Sequence, residues 1–231
     1  MNSDSNDAPV ICWRCKRQPA SATYMDRTGK WSEQVCDKCL DRLQVQEAME
    51  WGIVETFSLE KEERYDEILS WLDTFEAANR HRDHDGWLAR SVAAHRGLVL
   101  WQAERYEDAL LACNVVEQLG FENVTDRWAL GVARARNYEE MEKHAEALAA
   151  FEAEFRHQDS RYVSAARYFM RSLVEFSANA GKPVDESWRP VVQNIADEYE
   201  VEFPVRPTLA ESIVALFEAT ENKLTKRQRN T

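Results

Sequence analysis

Two Cys-x-x-Cys pairs, Cys12/Cys15 and Cys36/Cys39, lie twenty residues apart near the start of a 231-residue chain. This spacing is that of a four-thiolate zinc site. A Cys-x-x-Cys turn sets both sulfurs on one side of a tight knuckle. Two knuckles then supply the tetrahedron that zinc, which has no geometric preference of its own, accepts. A redox dithiol would instead need its Cys-x-x-Cys at a helix start behind a buried strand. No such strand precedes Cys12, and a second matched pair follows. A DNA-reading finger needs a basic helix, whereas the segment after Cys36 carries Asp37, Asp41, Glu47 and Glu50 against Lys38 and Arg42. The four cysteines therefore predict one structural zinc ion.

Something must hold the two pairs together. Residues 20–26 alternate and contain Thr23 and Tyr24, and residues 30–35 form a second strand candidate. Arg27, Thr28 and Gly29 lie between them, with Gly29 able to take the positive φ of a hairpin turn. Leu40, Leu43, Val45, Ala48, Met49 and Trp51 then recur at helical spacing. The order is knuckle, hairpin, knuckle, helix, too small to fold on a hydrophobic core alone without metal. With Pro19-Ala20 after the first pair and a glycine in the hairpin, residues 12–39 resemble the N-terminal zinc-binding segment of McsA-type and ClpE-type proteins. The resemblance implies that Cys12, Cys15, Cys36 and Cys39 are the ligands and that the module is regulatory or contacts protein. It does not extend downstream.

The rest of the chain is rich in Ala, Glu, Leu and Arg and holds only seven glycines and six prolines, a helical composition. It also repeats. EERYDEIL, AERYEDALL and EKHAEALAAF align on Tyr65, Tyr106 and His144, with separations of 41 and 38 residues. Ile68, Ala109 and Ala147 fall at the matching packing position. Ala93, Gly97, Leu100, Tyr106, Ala109 and Leu110, and then Gly131, Ala135, Tyr138, Ala147, Leu148 and Phe151, fall where tetratricopeptide repeats place small and large packing residues. The chain over 58–156 thus resembles a divergent tetratricopeptide (TPR-like) array, although its period exceeds the usual ~34 residues. Further helices are predicted over 161–181, ending at a glycine, over 186–203 with Pro190 near its start, and over 208–224. The last opens with the capping-box pair Thr208 and Glu211.

The expected fold is mostly α, a helical-hairpin (TPR-like) array preceded by a small zinc-binding β-hairpin module. The expected segments are a disordered lead-in over 1–10, the module with its trailing helix over 11–50, the helical domain over 51–222 and a basic tail over 223–231. No apolar run approaches the ~20 residues of a membrane span, and the first residues lack a secretory signal. Reduced thiols then place the protein in the cytoplasm.

Other reactive residues find simpler readings. His81, Asp83, His84 and Asp85 share one polar stretch that suits a loop between helical hairpins better than a metal or acid–base site. Cys113 reads as a buried, inert thiol. His95, His144 and His157 have no Cys or Asp constellation, and no phosphate loop, nucleophile elbow or kinase signature occurs. The chain is expected not to be an enzyme.

Charge points to the partner. The net charge is -12; residues 1–50 hold -1 and residues 221–231 hold +3, which leaves -14 on 51–220. That field repels phosphate backbones and favours a basic protein or peptide. Two functions fit: an interaction protein (adaptor, scaffold or regulator) working through an acidic helical surface, or an inhibitor or immunity protein that neutralises a basic toxin or nuclease. Glu62, Tyr65, Trp101, Tyr106 and Tyr138 are the candidate partner contacts.

Overall fold

Helical periodicity and β-branched alternation translate into two short strands and nine α-helices among the described residues, 9–229, of a computed structural model. The expected lead-in falls mostly outside these residues, as do the last two residues of the tail. Strands β1 (Ala22–Met25) and β2 (Ser32–Val35) pair antiparallel, with Ala22 opposite Val35 and Met25 opposite Ser32. Gly29 turns between them at φ +67°, a conformation that costs a residue without Cβ little. The helices are α1 (Asp37–Lys61), α2 (Tyr65–Asn79), α3 (Trp87–Gln102), α4 (Tyr106–Leu119), α5 (Val124–Glu140), α6 (His144–Phe155), α7 (Val163–Asn179), α8 (Arg189–Glu198) and α9 (Leu209–Arg229). The chain divides into two compact units, Met1–Ala103 and Glu104–Thr231.

In the first unit the β-hairpin sits beside the start of α1, and α2 packs on both α1 and α3. Val45 and Met49 of α1, Leu72 of α2, and Leu88 and Val92 of α3 form the shared core. Close approach of α1 and α2 depends on a small residue. A Cβ built on Gly52 would lie 2.0 Å from Cζ2 of Trp71, whose ring stacks on Phe75 at 5.3 Å.

The second unit is built on aromatic rings. Trp128, Phe151, Phe155, Phe176 and Trp188 are buried together with Met170, Leu173, Ile195 and Leu209. Both buried indoles keep their hydrogen bonds: Trp128 Nε1 donates to the His157 carbonyl at 3.0 Å and Trp188 Nε1 to Glu152 Oε1 at 3.1 Å. Arg167 is buried under Phe217, Tyr168 and Tyr199 and pairs with Glu221. The capping box of α9 forms reciprocally, Thr208 N to Glu211 Oε2 at 3.0 Å and Glu211 N to Thr208 Oγ1 at 3.2 Å.

The sequence repeat has a backbone counterpart. Tyr65, Tyr106 and His144 each begin a helix, and the residue two before each, Glu63, Glu104 and Glu142, is left-handed at φ +56°, +57° and +58°. At two of these turns the amide after the glutamate reaches back five residues, Arg64 N to Leu59 O and Lys143 N to Tyr138 O. That closes the Schellman helix stop. Ile68, Ala109 and Ala147, three residues into the following helices, have no exposed surface.

Gly52 supplies a clean test of α1–α2 packing. Helix propensity alone would make alanine better there by about 1 kcal/mol. Crowding against Trp71 opposes it by roughly 2–3 kcal/mol. Gly52→Ala is therefore expected to lower the urea midpoint. Gly131→Ala, whose Cβ would meet Glu154 Cβ at 3.1 Å, should be close to neutral. A Gly52→Ala protein as stable as the parent would refute the packing.

Candidate metal centre

The first knuckle is made by backbone hydrogen bonds before any metal is considered. Cys12 N donates to Gln18 O at 2.8 Å and Lys16 N to Cys12 O at 3.0 Å, with Lys16 left-handed at φ +56°. Trp13 N donates to Gln34 O at 2.9 Å, which fastens the knuckle along β2. The second pair uses a helix start: Cys36 is the N-cap of α1, and Cys39 lies in its first turn. The hairpin register thus determines which sulfurs meet.

They meet closely. One sulfur from each of Cys12, Cys15, Cys36 and Cys39 lies within 4.8 Å of all the others, and Cys15 and Cys36 sulfurs are 3.9 Å apart. A disulfide would hold its sulfurs at ~2.05 Å, and all four cysteines are free. Thiolates bound tetrahedrally at about 2.3 Å would stand ~3.8 Å apart along each edge. The cluster therefore fits a tetrahedral, thiolate-bound metal ion. Cys12 and Cys36 are buried, Cys15 and Cys39 half-buried. Trp31 packs over the cluster, edge-on to both Trp13 and Tyr24 at 5.5 Å.

The thiols differ electrostatically. Burial raises the Cys12 pKa, but backbone amides of Cys15 and Cys36 outweigh it and bring the thiol down to about 6. Amides of Arg17 and Gln18 lower Cys15. Cys39 is pushed well up, first by burial and then by the neighbouring sulfurs of Cys36 and Cys12. Backbone donors thus favour thiolate on the first knuckle, while the accumulated charge resists the last ionisation. A bound divalent cation would remove that resistance. With four protein ligands no position stays open for substrate.

The polar stretch 81–85 is held by α1 and α3. Asp41 accepts from Arg82 Nε at 2.9 Å and lies 3.0 Å from His84 Nε2, and these two partners hold its carboxyl below the usual range. Arg42 pairs with Asp85. Asp83 accepts from the amides of Leu88 and Ala89, 3.1 Å each, at the start of α3. His81 is exposed. Among the described residues, the four cysteines alone form a group of three or more His, Cys, Asp or Glu poised for metal. Cys113 is buried, and burial raises its thiol.

The candidate partner contacts occupy separate places. In the first unit Glu62 pairs with Arg64 at the end of α1, Tyr65 opens α2, and Trp101 is half-buried on α3 with its indole N–H unpartnered. In the second, Tyr106 opens α4, its hydroxyl pKa raised by burial and by Glu140 and Glu104, whereas Tyr138 packs against the core. Sequence reasoning missed a groove between α1 and α3, of about 370 Å³, lined by Met49, Ile53, Trp87, His95 and Leu98. Its signal was the spacing of Trp87, Ser91, Ala94 and Leu98, four, three and four residues apart.

Fold and site together define a mostly helical protein with a four-cysteine cluster able to hold a metal. Compared with known proteins, the chain matches no family model, no curated protein and no solved structure.

Asp83→Ala should cost about 1 kcal/mol through the lost α3 cap and leave metal content unchanged. Metal loss in this variant, measured by elemental analysis, would show that the polar stretch is a ligand site after all.

Proposed function

We propose that this is a non-catalytic protein-interaction protein, with a structural zinc ion on Cys12, Cys15, Cys36 and Cys39 and an acidic helical array that takes a basic protein or peptide. The observation that carries the reading is how its charge is disposed. Basic side chains of the array are largely engaged by neighbours: Arg64 by Glu62 and Glu67, Arg105 by Asp108, Arg134 by Glu117 and Glu154, and Arg136 by Glu139 and Glu175. Carboxylates such as Glu55, Glu107, Glu140 and Glu146 are exposed, so the surplus of negative charge faces solvent, where it steers a cationic partner.

Two further observations support the reading. The recurring left-handed glutamate before Tyr65, Tyr106 and His144 favours a divergent tetratricopeptide-like array, and the long connection 80–86 between α2 and α3 accommodates the 41-residue step. Four thiolates and a closed tetrahedron favour zinc in a reducing compartment, the cytoplasm. Among the described residues no helix is long and apolar enough to cross a membrane. The same surplus charge also favours a second reading, an inhibitor or immunity protein that neutralises a basic nuclease.

The zinc assignment predicts about one zinc per chain in protein purified without chelator or acid. Cys36→Ser should lose the ion and unfold the hairpin module. A metal-free, folded wild-type chain would overturn it. The interaction reading predicts that a lysine- and arginine-rich peptide binds and that its affinity falls as salt rises. Nanomolar inhibition of a basic nuclease, without binding to short peptides, would select the second reading.

A further inference from the structure

The groove in the first unit has features that a mere packing defect would lack. Its floor is apolar, made by Met49 and Ile53 of α1 with Trp87 and Leu98 of α3. Leu98 is 46% exposed, and Phe57, one turn beyond Ile53 on α1, is 49% exposed. Along each wall lining residues recur at alternating three- and four-residue steps, Gln46, Glu50 and Ile53 on α1 and Trp87, Ser91, Ala94 and Leu98 on α3, and exposed Phe57 continues the α1 spacing. Two helices presenting such seams form the holes into which the side chains of a third helix insert.

A polar feature within the groove narrows the occupant. His95 lies in the wall, and its Nε2 is buried without a hydrogen-bond partner. Leaving such an atom unsatisfied is costly, and a turn of the ring toward the groove would let a donor from an incoming side chain recover the bond. Burial holds the imidazole toward its neutral form, and the Glu60 charge opposes that effect. A neutral Nε2 can accept.

Charge identifies the donor. Glu50 of α1 lines the groove, and the charge of Glu60 on the same helix acts on His95. The α3 wall has no carboxylate, and its arginines are engaged elsewhere. Arg96 pairs with Asp73 and Glu76 of α2, and Arg90 donates to the Asp85 carbonyl. The carboxylates at the groove thus come from α1 and stand beside an apolar floor.

We infer that the α1–α3 groove is the docking site for a cationic amphipathic helix of a partner protein, its apolar face seated on Met49, Ile53, Trp87 and Leu98 and a lysine or arginine donating to His95. This rests on the reading of the chain as a binder of basic protein, and it specifies where that partner lies and what shape it takes.

The test uses the full chain and three fluorescent probes: a designed leucine/lysine amphipathic helix, a peptide of the same composition with the periodicity scrambled, and a leucine/glutamate helix. Anisotropy should show binding of the first and little of the other two. Leu98→Glu, at an exposed position that the fold tolerates, should weaken it at least about tenfold. Leu111→Glu, an exposed leucine of the second unit, should leave it unchanged. His95→Leu should raise thermal stability, since it removes the unsatisfied atom, and should weaken preference for the lysine-bearing helix over one with norleucine in its place. If the cationic helix binds equally to Leu98→Glu, the groove assignment is overturned while the acidic-surface reading stands. If the scrambled peptide binds as well as the helix, the helical occupant is refuted. If no cationic probe binds the parent chain, both readings fall together.

Discussion

Four sulfur atoms within 4.8 Å of one another are the constraint on which the N-terminal unit turns. The small cluster around them contains Cys12, Tyr24, Val35, Cys36 and Leu43, so two of its five buried members are cysteines. That is little hydrophobic surface for holding a hairpin against a helix. The same sulfurs thus belong to the core and form a group able to hold a metal. Their ionisation conflicts without a cation, since amides favour thiolate at Cys12 while burial and neighbouring sulfurs oppose it at Cys39. A bound divalent ion would resolve the conflict and add the missing cohesion. Because Cys36 is also the N-cap of α1, whatever holds the sulfurs sets where a 25-residue helix begins.

From that helix onward order is maintained differently. The glutamate turns at 63, 104 and 142 place a residue with a Cβ in the left-handed region, which costs ~1–2 kcal/mol relative to the helical conformation. The Schellman hydrogen bonds at Arg64 and Lys143 offset that strain by satisfying carbonyls at the helix end. At 63 and 142 the following helix then starts in a determined direction, and Ile68, Ala109 and Ala147 are completely buried. Turn geometry and small-residue packing are thus two aspects of one repeated unit. The third copy keeps the turn although histidine stands where the others have tyrosine.

Much of this was legible in the sequence because it depends on local chemistry. Cysteine spacing, the Gly29 turn, the capping box at Thr208 and the helix periodicity all act over a few residues, and the structure contains each. The polar stretch 81–85 was legible only as a loop. Its attachment to Asp41, about forty residues earlier, depends on how α1 and α3 lie against α2. The groove escaped for a related reason. His95 looks like a lone histidine on a mixed helix, and its unpartnered Nε2 exists only once a second helix shields it from water.

The arginines explain how an acidic chain keeps both a stable fold and a surplus of charge. Exposed ion pairs such as Arg105–Asp108 contribute little stability, about 0–1 kcal/mol each, whereas those that span elements at low exposure act more as locators. Arg134, which joins Glu117 of α4 to Glu154 of α6, is one; Glu154 is 6% exposed and also lies within 3.6 Å of Arg127. A Cβ on Gly131 would stand 3.1 Å from Glu154 Cβ and 3.3 Å from the Phe151 carbonyl oxygen, so the buried charge lies at the close contact of α5 and α6. Cations are drawn into such internal pairs, and anions outnumber them. With 41 acidic side chains against 29 basic ones, pairing the arginines leaves carboxylates over, and Glu55, Glu107, Glu140 and Glu146 are among those exposed to solvent.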